Sequence, residues 1–106
     1  MKDEELIEFA QAFREGTLDE RGSAFMCFAV SAPLSDLLSS MYGVENLLTE
    51  VDLGHCNHVF ITLADGRVLD PTADQFNQMF NLDYPEVYLG DGLDIHADPM
   101  MVSHGR

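Results

Sequence analysis

The chain has 106 residues, which points to one domain and leaves no room for a multidomain enzyme. Apolar residues make up 46% of it, with seven Phe and three Tyr, so a packed core is within reach and global disorder is excluded. Five Lys plus Arg against 19 Asp plus Glu leave a formal charge of −14, which repels phosphate backbones and argues against direct nucleic-acid binding. The same charge suits cationic partners, or serves solubility alone.

No apolar run approaches the ~20 residues that span a bilayer, so no membrane segment is expected. The opening Met1-Lys2-Asp3-Glu4-Glu5 is acidic, unlike a secretory signal. Cys27 and Cys56 do not form the dense framework of a small secreted scaffold. Two free thiols in a reducing cytoplasm is the expectation.

In chain order, Leu6, Ile7, Phe9, Ala10 and Phe13 recur at spacings of three and four, which predicts an amphipathic helix from Asp3 to Glu15. Glu4, Glu5, Glu8 and Arg14 fall on its other face, and Gly16 is a stop signal. A second apolar stretch runs from Ser23 to Tyr42, with Leu34, Leu37, Leu38 and Met41 on one side. Pro33 interrupts it, because proline removes an amide donor and clashes with the carbonyl four residues earlier. The helix therefore starts near Ala24 and tolerates Pro33, or starts only at about Ser31.

After Asn46 the period changes. His58 to Leu63 is β-branched and aromatic, Ala64-Asp65-Gly66 is a turn, and Arg67 to Asp70 returns as a second strand ended by Pro71. Glu86 to Leu89 is a third short strand. Residues 1–90 are expected to form a single α+β domain, with two N-terminal helices packed on a small antiparallel sheet. Residues 91–106 read as a loosely held C-terminal tail in which His96 and His104 are solvated.

Thiol catalysis needs a cysteine of depressed pKa, a histidine to carry its proton and a carboxylate to orient the histidine. Cys27, His58 and Asp70 occur in that order. Cys27 follows a loop at the start of an apolar helical run. His58 opens the strand His58-Val59-Phe60-Ile61, and the next strand delivers Asp70-Pro71-Thr72-Ala73-Asp74-Gln75-Phe76.

Residues 22–76 resemble the papain-like and transglutaminase-like thiol enzymes. In that group a helix-borne Cys faces a hairpin carrying His and then Asp, often with an aromatic two residues after the His and Asp-Pro-Thr at the acid. The resemblance implies a Cys27–His58–Asp70 triad acting on an amide or thioester, with no cofactor and a protein or peptide substrate. It also implies a Gln ahead of the Cys, and here Arg21, Gly22 and Ser23 stand instead. Oxyanion support then falls to Asn57 or to the backbone amide of Cys27.

Each residue also has a plainer reading. Cys27 can be a small core residue, His58 a hydrogen-bonded structural histidine, and Asp70 the start of an Asx turn. His55-x-x-His58 has ligand-like spacing, but residues three apart on a strand point to opposite faces, so no metal site is expected. Asp74 and Gln75 suit a helix cap better than catalysis. The function these residues favour is a cysteine-dependent amide hydrolase or acyltransferase, with a basic substrate suited to the acidic surface. The rival is a non-catalytic acidic binding or inhibitor module.

Strand parity makes the triad testable. His58 and Phe60 share a face. A two-residue turn would pair Ile61 with Asp70 and put the acid on the opposite face. A three-residue Ala64-Asp65-Gly66 loop pairs Phe60 with Asp70, keeps the acid beside His58, and requires Gly66 at positive φ.

Overall fold

The structure, a computed structural model, describes residues 1–18, 22, 26–54 and 56–96. It is α+β. Helix α1 (Asp3–Thr17) and helix α2 (Cys27–Tyr42) precede strands β1 (Asn46–Asp52), β2 (Asn57–Leu63) and β3 (Val68–Asp70). A 3-10 turn (Ala73–Phe76), a short helix α3 (Asn77–Phe80), strand β4 (Tyr88–Gly90) and a second 3-10 turn (Asp94–His96) complete the described chain. The four strands lie in the order β1-β2-β3-β4, every neighbouring pair antiparallel.

Helix α1 starts where acidic residues belong, with Asp3, Glu4 and Glu5 in its first turn against the positive end of the helix dipole. The Lys2 backbone N–H donates to the Glu5 carboxylate at 2.8 Å. Leu6 and Ala10 point inward as the spacing predicts, but Ile7 is exposed and Arg14 is buried. Helix α2 begins at Cys27 and continues through Pro33, which lies on the exposed side. The carbonyl that loses its donor there belongs to Ala29, also exposed, so solvent can satisfy it. Met41, expected on the inner face, is exposed.

Both helices cover one face of the sheet. Leu6, Ala10, Leu34 and Leu38 meet Ile61, Leu63 and Leu69 there. Truncating a fully buried leucine such as Leu34 to Ala costs about 2–5 kcal/mol by cavity formation. The other face carries Val51, Phe60 and Val68. The chain after β3 folds over it, seating Ala73, Phe76 and Ile95 with Tyr88 and Leu53 at the margin. Histidine 58 lies on this second face, where the segment after β3 encloses it.

Candidate functional site

The β2–β3 hairpin sets the geometry. Ile61 pairs with Leu69 and Thr62 with Val68, and the Leu63 N–H donates to the Arg67 carbonyl at 2.8 Å. Three residues therefore form the loop, and Gly66 sits at φ 90°. Continuing this register places Asp70 beside Phe60, on the face that also carries His58. His58 Nε2 and Asp70 Oδ2 are 2.6 Å apart, with both side chains fully buried.

Asp70 is held from several sides. Its Oδ1 accepts the Thr72 N–H at 2.9 Å, so the Asx-turn reading and the ring contact are both correct. Its Oδ2 accepts from His58 and also from His96 Nε2, again at 2.6 Å. Burial would raise the acid, but the hydrogen bonds from His58 and His96, and then the charge on His58, hold it down at about 2. For His58, burial works to lower the ring; the hydrogen bond to Asp70, the Cys27 interaction and both charges override it and push the ring to about 9.

Cys27 is the first residue of α2, and Met26 before it supplies no side-chain cap to the first-turn amides. Burial alone would raise the thiol. The His58 ring, the Val59 N–H, the charge on His58 and the Phe28 N–H together bring it below its ordinary value. With Nε2 engaged on Asp70, Nδ1 is the nitrogen left for the thiol. It is buried and has no hydrogen bond of regular geometry, so the thiol approach is looser than a formed bond. Ser31, one turn further along α2, donates to the Val59 carbonyl at 3.3 Å and pins the helix start to β2. Cys56, half-buried, goes the other way: burial, then the charges of Cys27 and Asp52, raise its thiol.

Of the sequence-predicted residues, His58 and Asp70 are thus joined by a hydrogen bond, and Cys27 lies beside the His58 ring without one. Asn57 is not part of this contact. It is exposed, and one of its two amide N–H groups donates to the Glu50 carboxylate at 2.7 Å, which turns the side chain toward β1. Asp74 is no helix cap; it pairs with the buried Arg14 at 2.9 Å. His96, expected to be solvated, is instead buried against Asp70. The signal that marked it was the apolar pair Leu93 and Ile95 in an otherwise polar stretch. His55, Ser23 to Phe25 and residues 97–106 lie outside the described residues.

His58, Asp70 and His96 each offer a ligand atom, all within 4.8 Å of one another, the spacing of a metal cluster. The donor chemistry argues otherwise. His96 Nδ1 accepts the Leu93 N–H at 2.9 Å, so its proton is on Nε2, the atom a metal would need bare. An open cavity of about 430 Å³ borders His96 together with Tyr84, Asp91 and Asp94, but neither Cys27 nor His58 lines it. Comparison with protein-family models, with curated proteins and with solved structures finds no match to this chain.

Proposed function

We propose that the protein is a cysteine-dependent amide hydrolase or acyltransferase, of the papain-like or transglutaminase-like kind that its sequence resembles. The supporting observation is the 2.6 Å hydrogen bond between the buried His58 ring and Asp70, with the Cys27 thiol near enough to that ring to be lowered by it. In the resting site the thiol proton resides on His58, giving a thiolate and an imidazolium. The thiolate adds to the substrate carbonyl, forming a C–S bond. His58 then gives its Nδ1 proton to the leaving amine as the C–N bond breaks. Water, or an amine in acyl transfer, attacks the thioester with His58 as base, releasing the acyl group and restoring Cys27. Asp70 keeps the ring oriented and stabilises its positive charge.

With Asn57 bound to Glu50, the backbone amide of Cys27 is the better oxyanion donor. A net charge of −14 favours a basic protein or peptide as substrate. A site that depends on a free thiol suits a reducing compartment, the cytoplasm. No helix among the described residues is long and apolar enough to cross a membrane.

The test needs no substrate. Iodoacetamide is added at neutral pH, and alkylation of Cys27 and Cys56 is followed by peptide mass spectrometry. Selective reaction at Cys27, despite its deeper burial, is the expected result. Equal or slower reaction than at Cys56 returns Cys27 to the core and favours the non-catalytic module.

A further inference from the structure

We infer that His96 is a positioning residue of this site, donating its Nε2 proton to the Asp70 oxygen that also orients His58. The inference rests on the thiol-enzyme reading for its purpose and on geometry for its substance. Asp70 Oδ2 receives two imidazole nitrogens, each at 2.6 Å. The second ring is placed by four separate contacts.

The first contact fixes the tautomer. A backbone N–H can donate only to an unprotonated nitrogen, and Leu93 N–H meets His96 Nδ1 at 2.9 Å. The ring proton is therefore on Nε2, the nitrogen that faces Asp70. The second is Tyr88, stacked on the ring with centroids 5.5 Å apart and planes at 25°. The third is Phe60, edge-on at 4.6 Å. The fourth is the 3-10 turn Asp94–His96 itself, anchored by buried Ile95 in the cluster of Ala73 and Phe76. A histidine serving only as filler would not need a fixed tautomer aimed at a buried carboxylate.

The consequence for chemistry follows from charge. A neutral donor on Oδ2 draws electron density away from the His58 contact. With it, Asp70 holds the imidazolium firmly enough to orient it, while His58 can still release a proton to a leaving group. Without it, the carboxylate faces His58 with less compensation, and the ring keeps its proton to higher pH. The ionisable groups that face this pair are Cys27 from α2, Asp70 from β3 and His96 from the last turn, with Tyr88 of β4 behind His96 and Cys56 near Cys27.

Two variants separate a reaching donor from one that falls short. His96→Gln carries its amide nitrogen about as far as Nε2, whereas His96→Asn is one methylene shorter. Imidazole nitrogen NMR of the wild type and both variants reads the tautomer of His96 and the titration of His58. The wild type should show His96 protonated at Nε2 alone. His58 should titrate as in wild type in His96→Gln and move up by about 0.5–1 in pH in His96→Asn, the size of one net hydrogen bond. The pH profile of Cys27 alkylation should shift in His96→Asn and stay put in His96→Gln.

Protonation of His96 at Nδ1 in the wild type overturns the inference, even where a variant fails to fold. So does an identical His58 titration in all three proteins, or an equal shift in both variants. Wild-type Cys27 that is no more reactive than Cys56, with His96 correctly protonated and the variants diverging, removes the enzyme reading and leaves the positioning contact intact.

Discussion

The His58 ring meets the Asp70 carboxylate at 2.6 Å because three residues, and not two, join their strands. A loop one residue shorter would turn Asp70 to the helix-covered face, where Ile61 and Leu69 pack. Gly66 makes the longer loop possible at φ 90°, a region that side chains with Cβ rarely adopt. No atom lies within 4 Å of a Cβ built there, so any cost is backbone strain alone. Gly66→Ala is expected to lose about 1–2 kcal/mol in urea denaturation, and Gly66→Asn less, since Asn enters this region more readily.

Asp70→Asn tests the charge at the end of the contact chain. The neutral amide accepts through one oxygen, so at least two of the four donors on the carboxylate face an NH₂ group. His58 loses its anionic partner, its hold on a proton weakens, and the Cys27 thiol moves back up toward its ordinary value. Alkylation of Cys27 at neutral pH is expected to slow at least tenfold, which is one pKa unit of thiolate. Breaking the buried pair should cost about 3–5 kcal/mol in stability. A variant that alkylates at the wild-type rate would detach Asp70 from the thiol.

Arg14 holds the segment beyond Asp70 to helix α1. Its Nη1 donates to the Pro71 carbonyl at 3.0 Å, the Glu86 carbonyl at 3.0 Å and Asp74 Oδ1 at 2.9 Å, while Nη2 reaches Asp74 Oδ2 at 3.3 Å. Arg14→Ala leaves these acceptors unpaired in a largely buried space and should cost about 3–5 kcal/mol by denaturant titration. Arg14→Lys is expected to recover only part, because an ammonium cannot reproduce the planar fork.

Arg14 also shows where sequence reasoning stops. Helical spacing put it on the face of Glu4 and Glu8, and nothing local reveals that Asp74 and two carbonyls converge there from more than fifty residues away. His96 differs in degree: the apolar Leu93 and Ile95 beside it signal burial, but its bond to Asp70 comes from tertiary packing. Strand β1 escaped because it is an edge strand whose Leu47 and Leu48 are both exposed, leaving Val51 as its one fully buried side chain. Local features were legible. The turn at Gly66 and the Phe60-to-Asp70 register follow from glycine and parity rules that act within a few residues, whereas Pro33 left the start of α2 open between Ala24 and Ser31, and it forms at Cys27. The third strand was expected at Glu86 to Leu89 and forms at Tyr88–Gly90, an end shift of the size that short strands show.

Cys27→Ser isolates the His58–Asp70 pair in a pH titration of stability. In the native chain the lowered Cys27 thiol and the raised His58 ring both titrate, with opposite effects, and the variant removes the first. Burial still opposes the charged ring, and Asp70 still raises it above its ordinary 6.5, toward the value of about 9 reached with the thiol present. A raised group binds more protons folded than unfolded, so its contribution is complete below 6.5 and is lost as pH climbs. The loss should begin near 6.5 and end no higher than about 9, with a slope of at most ~1.4 kcal/mol per pH unit. Asp70, depressed to about 2 from 3.8, acts on the acid side: its contribution is present above 3.8 and lost as pH falls toward 2. Urea midpoints for Cys27→Ser that stay flat through the upper window would contradict a raised His58.

Gly90→Ala tests the support beneath His96 from a residue of β4 that pairs with Val68. A Cβ on Gly90 would lie 2.5 Å from the Tyr88 hydroxyl oxygen and 2.8 Å from the ring carbon bearing it, so the tyrosine must move. That ring stacks on His96, and its hydroxyl accepts the Gly92 N–H at 2.9 Å. Displacing it removes one wall of the His96 pocket and one hydrogen bond, a cost of about 1–3 kcal/mol by overpacking. The cost should come through Tyr88, which a double-mutant cycle can show. In a Tyr88→Ala background the new methyl meets no ring, and Gly90→Ala should become close to neutral. Equal destabilisation in both backgrounds would place the penalty in the strand backbone and leave Tyr88 without a part in holding His96.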